Sequence, residues 1–386
     1  MKILFYSDTV FGFGGVQRVL AVIAKSLSES HEVTILTTDR QKKVALYGYA
    51  GSSVHFDFLA YSESPLFQRL WCKGYSFLYK YLLPHTRLTS KGYAKSFFLP
   101  SHKRILVQKI NAGHYDVVIG VHAFMALHLS AVKSQIQART IGWMHNSYEA
   151  FFEKKTPYLP GLKDFFKYQM AELDEVVVLS GADKERYEKR LNLTPVVIYN
   201  PLTIEIRGRA NLQDRCFLSV GRFSRQHKGF DLLIKAFALF AARHTDWTLH
   251  IVGEGPEEKL YRSLIMENRL EDRVRIHPFT KDVCQHYLGG SVYVMASRWE
   301  GMPLVLMEAM AYGLPVIASD IPIAKELLEG KGMAVFFERE NVSQLADCLH
   351  YMAVEADLEA MGEKSMACAE NFKTDAIIKQ WEKILN

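Results

Sequence analysis

Two glutamates frame the sharpest candidate for chemistry. Glu300 and Glu308 have seven residues between them, and Gly301-Met302-Pro303-Leu304 lies just after the first. Proline is favoured at the first position of a helix, so Pro303 predicts a helix over 303–312. Glu300 then sits just before the helix N-terminus and Glu308 inside the helix. The run 291–296 predicts a parallel strand feeding that turn. Free N–H groups around 301–304 make an anion site at the carboxyl end of a strand, where α/β sheets bind ligands. A carboxylate on each side accepts hydrogen bonds from diols, one pair on a sugar and one on a ribose. The plainer reading makes Glu308 an exposed helix residue and Glu300 a solvated loop acid. A loop carboxylate at a ligand mouth carries little packing, so Glu300→Gln is expected to leave folding intact.

Three further constellations accompany it. Gly221-Arg222 ends a predicted strand and Lys228-Gly229 opens the next helix. Glycine allows close approach and arginine binds bidentately, which suits a diphosphate, although a solvated loop is nearly as good a reading. Gly12-Phe13-Gly14-Gly15-Val16-Gln17 follows the first strand and half-matches the dinucleotide fingerprint, with Asp39 at about the distance of a ribose contact. Gln17 stands where close helix–strand packing wants glycine or alanine, so a turn offering backbone N–H groups to an anion is the better reading. His145, in Gly142-Trp143-Met144-His145-Asn146, follows a predicted strand; a lone histidine there is more often structural.

The elements that must position these residues alternate short β-branched and aromatic runs with helical periods, the signature of parallel α/β units. Strands are predicted at 3–7, 32–37, 117–121, 140–144, 176–179 and 196–199, with Val16, Val19, Leu20, Ile23 and Leu27 on one face of a helix over 15–28. The stretch 201–214 is polar and irregular. The pattern then restarts, with strands at 216–220, 248–252, 274–277, 291–296, 315–318 and 333–337, separated by helices that continue to the end. Two doubly wound domains meeting near 200–215 are expected, which suits 386 residues. Segment 64–115 breaks the pattern. It holds nine Lys and Arg, no Asp or Glu, and interleaved aromatics from Phe67 to Phe98.

Composition narrows the classes. Hydrophobic residues at 49% support a substantial core, and a formal charge of +5 is too mild to imply a nucleic-acid binder. The five cysteines include no CxxC pair, so neither a zinc site nor a disulfide framework is expected, and a reducing cytosol fits. The N-terminal apolar run stops at Asp8, too short for a signal peptide, and no stretch is long and apolar enough to span a membrane.

The runs Gly221-Arg222-Phe223, Lys228-Gly229-Phe230-Asp231, Ile251–Pro256, Ser297–Ala311 and Gly313–Asp320 resemble, in order and spacing, the retaining glycosyltransferases of family 4. In the first half only Gly14-Gly15, His145 and Tyr199-Asn200-Pro201 are similar. The resemblance implies the GT-B fold, two Rossmann-like domains facing across a cleft: 1–200 joined by the C-terminal helix 373–386 for the acceptor, and 201–372 for a nucleotide-sugar donor. It implies that Arg222 and Lys228 hold the donor diphosphate, Glu300 the sugar and Glu308 the ribose. Gly253, Glu254 and Phe279 fall where such enzymes hold the nucleoside, Gly301, Met302, Pro303 and Leu304 belong to the donor loop, Gly14 and Gly15 cover the phosphates, and His145 lies at the donor–acceptor junction. Departures are Gln17, where Glu is commoner, and His277-Pro278 in place of a glycine.

The transition state expected from this resemblance is oxocarbenium-like, with its developing phosphate charge met by preorganised cations and N–H groups. Retention is usually explained by front-face attack, so no nucleophile is assigned. No DxD motif occurs, and a metal-independent reaction without cofactor is expected. A UDP-hexose or UDP-N-acetylhexosamine donor and a lipid-linked or cell-surface glycan acceptor are expected. A Rossmann oxidoreductase or epimerase is disfavoured because none of the 19 tyrosines has lysine four residues on. A non-catalytic sugar-nucleotide module is disfavoured because Arg222, Lys228, Glu300 and Glu308 are all present. Segment 64–115 is expected to dock on an anionic membrane surface at the cytoplasmic face; the alternative is that its aromatics fill the core while its cations are solvated.

Overall fold

Runs of Val, Ile, Leu and Phe make the strands, and every strand pairs parallel to its neighbours. Strands buried on both faces read as near-continuous apolar runs, as Val117–Val121 and Cys216–Val220 do here. The computed structural model describes residues 1–40, 46–61 and 65–386. Two units result: Met1–Pro201 with Thr374–Asn386, and Leu202–Lys373.

In the first unit the strands are β1 (Lys2–Ser7), β2 (Glu32–Thr37), β3 (His55–Phe58), β4 (Val117–Val121), β5 (Arg139–Trp143), β6 (Glu175–Val178) and β7 (Val196–Val197). They lie in the order β3-β2-β1-β4-β5-β6-β7. The helix Gly15–Leu27 buries Val19, Leu20, Ile23 and Leu27 against this sheet, while Val16 is only partly covered. The C-terminal helix Thr374–Leu385 packs here too. Trp381 is fully buried with its ring 4.8 Å from that of Trp143, and Glu382 accepts from His31 at 3.0 Å. Two expected features differ. The short edge strand β3 was not expected from the sequence, and its Asp57, paired with Lys109 at 2.7 Å, is the kind of charge that edge strands carry. The strand expected over 196–199 pairs only at Val196 and Val197.

Segment 64–115, whose first residue Ser64 lies outside the described residues, forms three helices: Leu66–Tyr81, Arg87–Phe97 and Pro100–Gly113. Its aromatics divide. Tyr79, Tyr93 and Phe98 are buried, with Tyr79 stacked on Tyr93 at 4.4 Å. Phe67, Trp71, Phe77 and Tyr81 are exposed on the opposite face of the first helix, beside Leu66, Leu70 and Leu78. The reading that the aromatics fill the core therefore holds for Tyr79, Tyr93 and Phe98 and not for Phe67, Trp71, Phe77 and Tyr81.

The second unit has β8 (Cys216–Val220), β9 (Thr248–Val252), β10 (Val274–His277), β11 (Val292–Met295), β12 (Val316–Ser319) and β13 (Ala334–Phe337), ordered β10-β9-β8-β11-β12-β13. Strand order reverses between β8 and β11, and the loops leaving those two strands diverge there. Such a switch point is where open α/β sheets bind ligands. The loop after β8 begins at Gly221-Arg222, and the loop after β11 carries Glu300.

Candidate active site

Each site loop of the second unit is shaped by backbone contacts. Gly253 has φ of 154°, and a Cβ there would lie 1.9 Å from the Gly221 carbonyl oxygen. Only glycine permits that approach, which is locked by Gly221 N–H donating to Val252 O at 3.0 Å and Phe223 N–H to Glu254 O at 2.8 Å. Gly229, at φ of 64°, faces the Ala296 carbonyl so closely that a Cβ would meet it at 2.0 Å. The loops after β8, β9 and β11 are thus drawn together by glycine contacts.

The charged residues converge in the same place. Lys228 ends a single helical turn, Arg225–Lys228, and its ammonium donates to Glu300 Oε1 at 2.7 Å. Ser297 Oγ donates to the same oxygen at 2.7 Å, and His227 Nε2 lies 3.2 Å from Glu300 Oε2. Burial alone would raise the Glu300 carboxyl, but the charge of Lys228 and the neighbouring His227 outweigh it and hold the group well below the usual carboxylate range. Glu300 is 8% exposed and Glu308 1%. Both plain readings, a solvated loop acid and an exposed helix residue, are therefore set aside. So is the expectation that Glu300 carries little packing, because its carboxylate is buried against Lys228, Ser297 and His227.

Glu308 lies in the helix Leu304–Ala311, where Tyr287 Oη donates to it at 2.8 Å and Thr203 Oγ1 at 3.4 Å. Pro303 is the residue capping this helix rather than its first member: with φ −77° and ψ 100° it stands outside, its carbonyl accepting from Leu306 N–H at 3.1 Å. Gly301, Met302, Pro303 and Leu304 are all buried. Arg222 and Glu254 are exposed, as is Phe279 beyond β10.

Sequence reasoning passed over the residue that ties these loops together. The Arg298 guanidinium grips Asp231 with two hydrogen bonds, at 3.0 and 3.1 Å, and Glu340 with two more, at 2.5 and 3.0 Å. It also donates to the Arg225 carbonyl. Asp231 opens the helix Phe230–Ala241, so Arg298 joins the loop after β11 to the helix after β8. The fork geometry of arginine suits such paired carboxylates. Its position directly before Trp299-Glu300 was the available signal.

In the first unit, the residues singled out lie at strand ends. Gly14 and Gly15 open the helix Gly15–Leu27, but the Gly14 N–H donates to Tyr47 Oη at 3.1 Å, and that hydroxyl donates to Gly12 O at 2.9 Å. Asp39 accepts from the N–H groups of Val10 at 2.6 Å and Phe11 at 3.1 Å. It stabilises the glycine-rich loop from behind, which accounts for its presence without a ribose. His145 follows β5, is 7% exposed, and its Nε2 has no hydrogen-bond partner among the described residues. Burial, with nearby His122 adding to it, pushes its pKa well below 6.5, so the imidazole is neutral.

Comparison with known proteins agrees over both units. Residues 13–205 match the family model of Glycosyltransferase Family 4, and residues 203–372 that of Glycosyl transferases group 1. An uncharacterized glycosyltransferase of Haemophilus influenzae is 30% identical over 297 residues, 75% of this chain and 81% of that one. AmsD, an amylovoran biosynthesis glycosyltransferase of Erwinia amylovora, is 29% identical over 279 residues, 70% of this chain and 76% of that one. Among solved structures, Anabaena HepE in complex with UDP and glucose superposes with a TM-score of 0.75 at 18% identity, covering 100% of this chain and 99% of that one. At that identity the likeness speaks for the fold.

Proposed function

Because the chain belongs to the family 4 glycosyltransferases of the GT-B fold, we propose that it moves a hexose or N-acetylhexosamine from a UDP-sugar to a lipid-linked or cell-surface glycan, with retention at the anomeric carbon. The observation that carries this reading is the meeting of Lys228 and Glu300 at the switch point of the second sheet, with Glu308 in the helix that follows. Arg222 and Lys228 hold the diphosphate. Their charge, with the N-terminus of the helix Leu304–Ala311, stabilises the leaving phosphate as the glycosidic bond breaks. Glu300 receives sugar hydroxyls, Glu308 the ribose, and Gly253, Glu254 and Phe279 the nucleoside. Gly14, Gly15 and neutral His145 are the substrate contacts of the first unit. UDP in the HepE complex and the polysaccharide named for AmsD support the choice of donor and acceptor class. Hydrolysis of UDP- and GDP-sugars without acceptor tests the donor: slow release of UDP is expected, and release from GDP-sugars alone would replace the nucleotide. The reaction needs no metal on this reading, so activity survives EDTA; loss rescued by Mg²⁺ or Mn²⁺ would contradict it.

The proposal places the enzyme on an anionic membrane surface at the cytoplasmic face. No helix among the described residues is long and apolar enough to cross a membrane. Half of the large apolar side chains exposed among the described residues lie between 66 and 88, and Phe67 is 77% exposed. Arg69, Lys73, Arg87, Lys91 and Lys95 are exposed around them. An apolar stripe flanked by cations suits the headgroup region of anionic lipid, where each cation contributes about 1 kcal/mol.

A further inference from the structure

His227 and Trp299 were assigned no role from the sequence, yet each directly precedes a residue that was: His227 stands before Lys228 and Trp299 before Glu300. As Lys228 and Glu300 pair, the two preceding residues stack. The imidazole and indole rings lie 3.9 Å apart and within 9° of parallel. The indole N–H donates to Gln226 O at 3.2 Å, and Arg298 N–H donates to His227 O at 2.7 Å. The imidazole is therefore held on its face by an aromatic plane and along its backbone by the loop it faces.

What this does for Glu300 follows from which oxygen each partner reaches. Lys228 and Ser297 both donate to Oε1. A carboxylate held through one oxygen still turns about its last bond, because terminal torsions of this type have broad wells. His227 Nε2, 3.2 Å from Oε2, is the group that limits this turning. The contact is at ion-pair distance without hydrogen-bond alignment, and contacts of this kind often tighten when substrate binds. Lys228 has a second demand on it, since the proposed diphosphate takes some of its three donors. A second holder keeps the Glu300 plane fixed when that happens.

We infer that His227, stacked on Trp299, is a positioning residue that sets the orientation of the Glu300 carboxylate toward the donor sugar. The inference rests on the reading that Glu300 meets that sugar. A misplaced group near the reacting centre costs turnover more than binding, because the diphosphate is held elsewhere.

The test compares wild type with His227→Ala, His227→Gln, Glu300→Gln and the double variant His227→Ala/Glu300→Gln. UDP affinity is measured by calorimetry, and kcat and KM by UDP release from UDP-glucose and UDP-N-acetylglucosamine. For His227→Ala, kcat is expected to fall about tenfold or more while UDP affinity and donor KM stay within about twofold. Glutamine can bring an amide N–H near the position of Nε2, so His227→Gln should recover most of the loss. The double variant should be no slower than Glu300→Gln alone. Unchanged kcat in His227→Ala would overturn the inference while leaving the donor reading intact. Loss of UDP affinity in parallel with kcat, unrescued by glutamine, would make His227 a merely structural residue and also overturn it. Full turnover by Glu300→Gln, or no UDP release by wild type from either donor, would remove the donor reading and the inference together.

Discussion

The Glu300 carboxylate has two tasks that a substitution separates. Glutamine keeps the shape but removes the charge that Lys228 faces, and breaking a buried pair leaves the remaining cation uncompensated. Glu300→Gln is therefore expected to lower stability by about 1–3 kcal/mol as well as to nearly abolish transfer. Chemical denaturation checks the first effect and donor turnover the second; wild-type stability with wild-type turnover would show that the carboxylate does neither. A second residue-scale prediction concerns Arg298. Arg298→Lys retains a charge but loses the fork that serves Asp231 and Glu340 together, so it should destabilise the second unit by about 1–3 kcal/mol in denaturant titration. An unchanged midpoint would show that the clamp is redundant. At this scale the sequence made the charged motif residues legible, because spacing around glycine and proline announces a strand–turn–helix. It did not reveal His227, Trp299, Arg298 or Asp231 as a set, since stacking and bridging join loops 70 residues apart and leave no periodic trace. Burial of Glu300 and Glu308 was equally hidden: nothing in an acidic side chain tells which donors will surround it.

Among the elements, the parallel strands were the most legible, because a strand buried on both faces has no polar alternation to obscure it. The expected bounds of the strands at 32–37, 117–121, 216–220, 248–252 and 274–277 agree with those observed. The helix Leu66–Tyr81 was not legible. Its exposed side carries Phe67, Trp71 and Phe77 as well as Arg69 and Lys73, while only Cys72 and Tyr79 are buried, so its apolar residues do not mark the face that packs inward. On the proposed membrane reading that face enters the headgroup region. Replacing Phe67, Trp71 and Phe77 by Ser should then reduce co-sedimentation with anionic vesicles at least as strongly as replacing Lys73 and Lys91, and should leave UDP binding unchanged. Binding that is equal on neutral vesicles, or unaffected by either set, would contradict a docking face made of both apolar and basic groups. Arg87 is a weaker probe than its charge suggests, because it already pairs with Glu172 at 3.1 Å.

For the whole molecule, buried and half-buried histidines set the acid limit of stability. Burial lowers the pKa of His122, His145, His277 and His286, that of His128 to about 3 and that of His250 to about 4. The unfolded chain takes up these protons near pH 6.5 and the folded chain does not, so stability is complete above that pH and falls as the pH drops below it. The Glu300 pKa is lowered too, by its charged partners against the effect of burial, and adds its loss only as the pH falls through the ordinary carboxylate range. The melting temperature should decline from about pH 6.5 downward; a flat profile to pH 5 would show that these imidazoles are not held neutral by the fold. On the proposed reading, the strand ends of the second unit hold a nucleoside diphosphate. Calorimetric titration of UDP into wild type, Arg222→Ala and Lys228→Ala tests it most directly. Saturable binding is predicted for the wild type, weakened in each variant by the roughly 1.5–3 kcal/mol of a lost charge-assisted contact. No heat of binding in the wild type, or the same affinity in all three proteins, would contradict the claim.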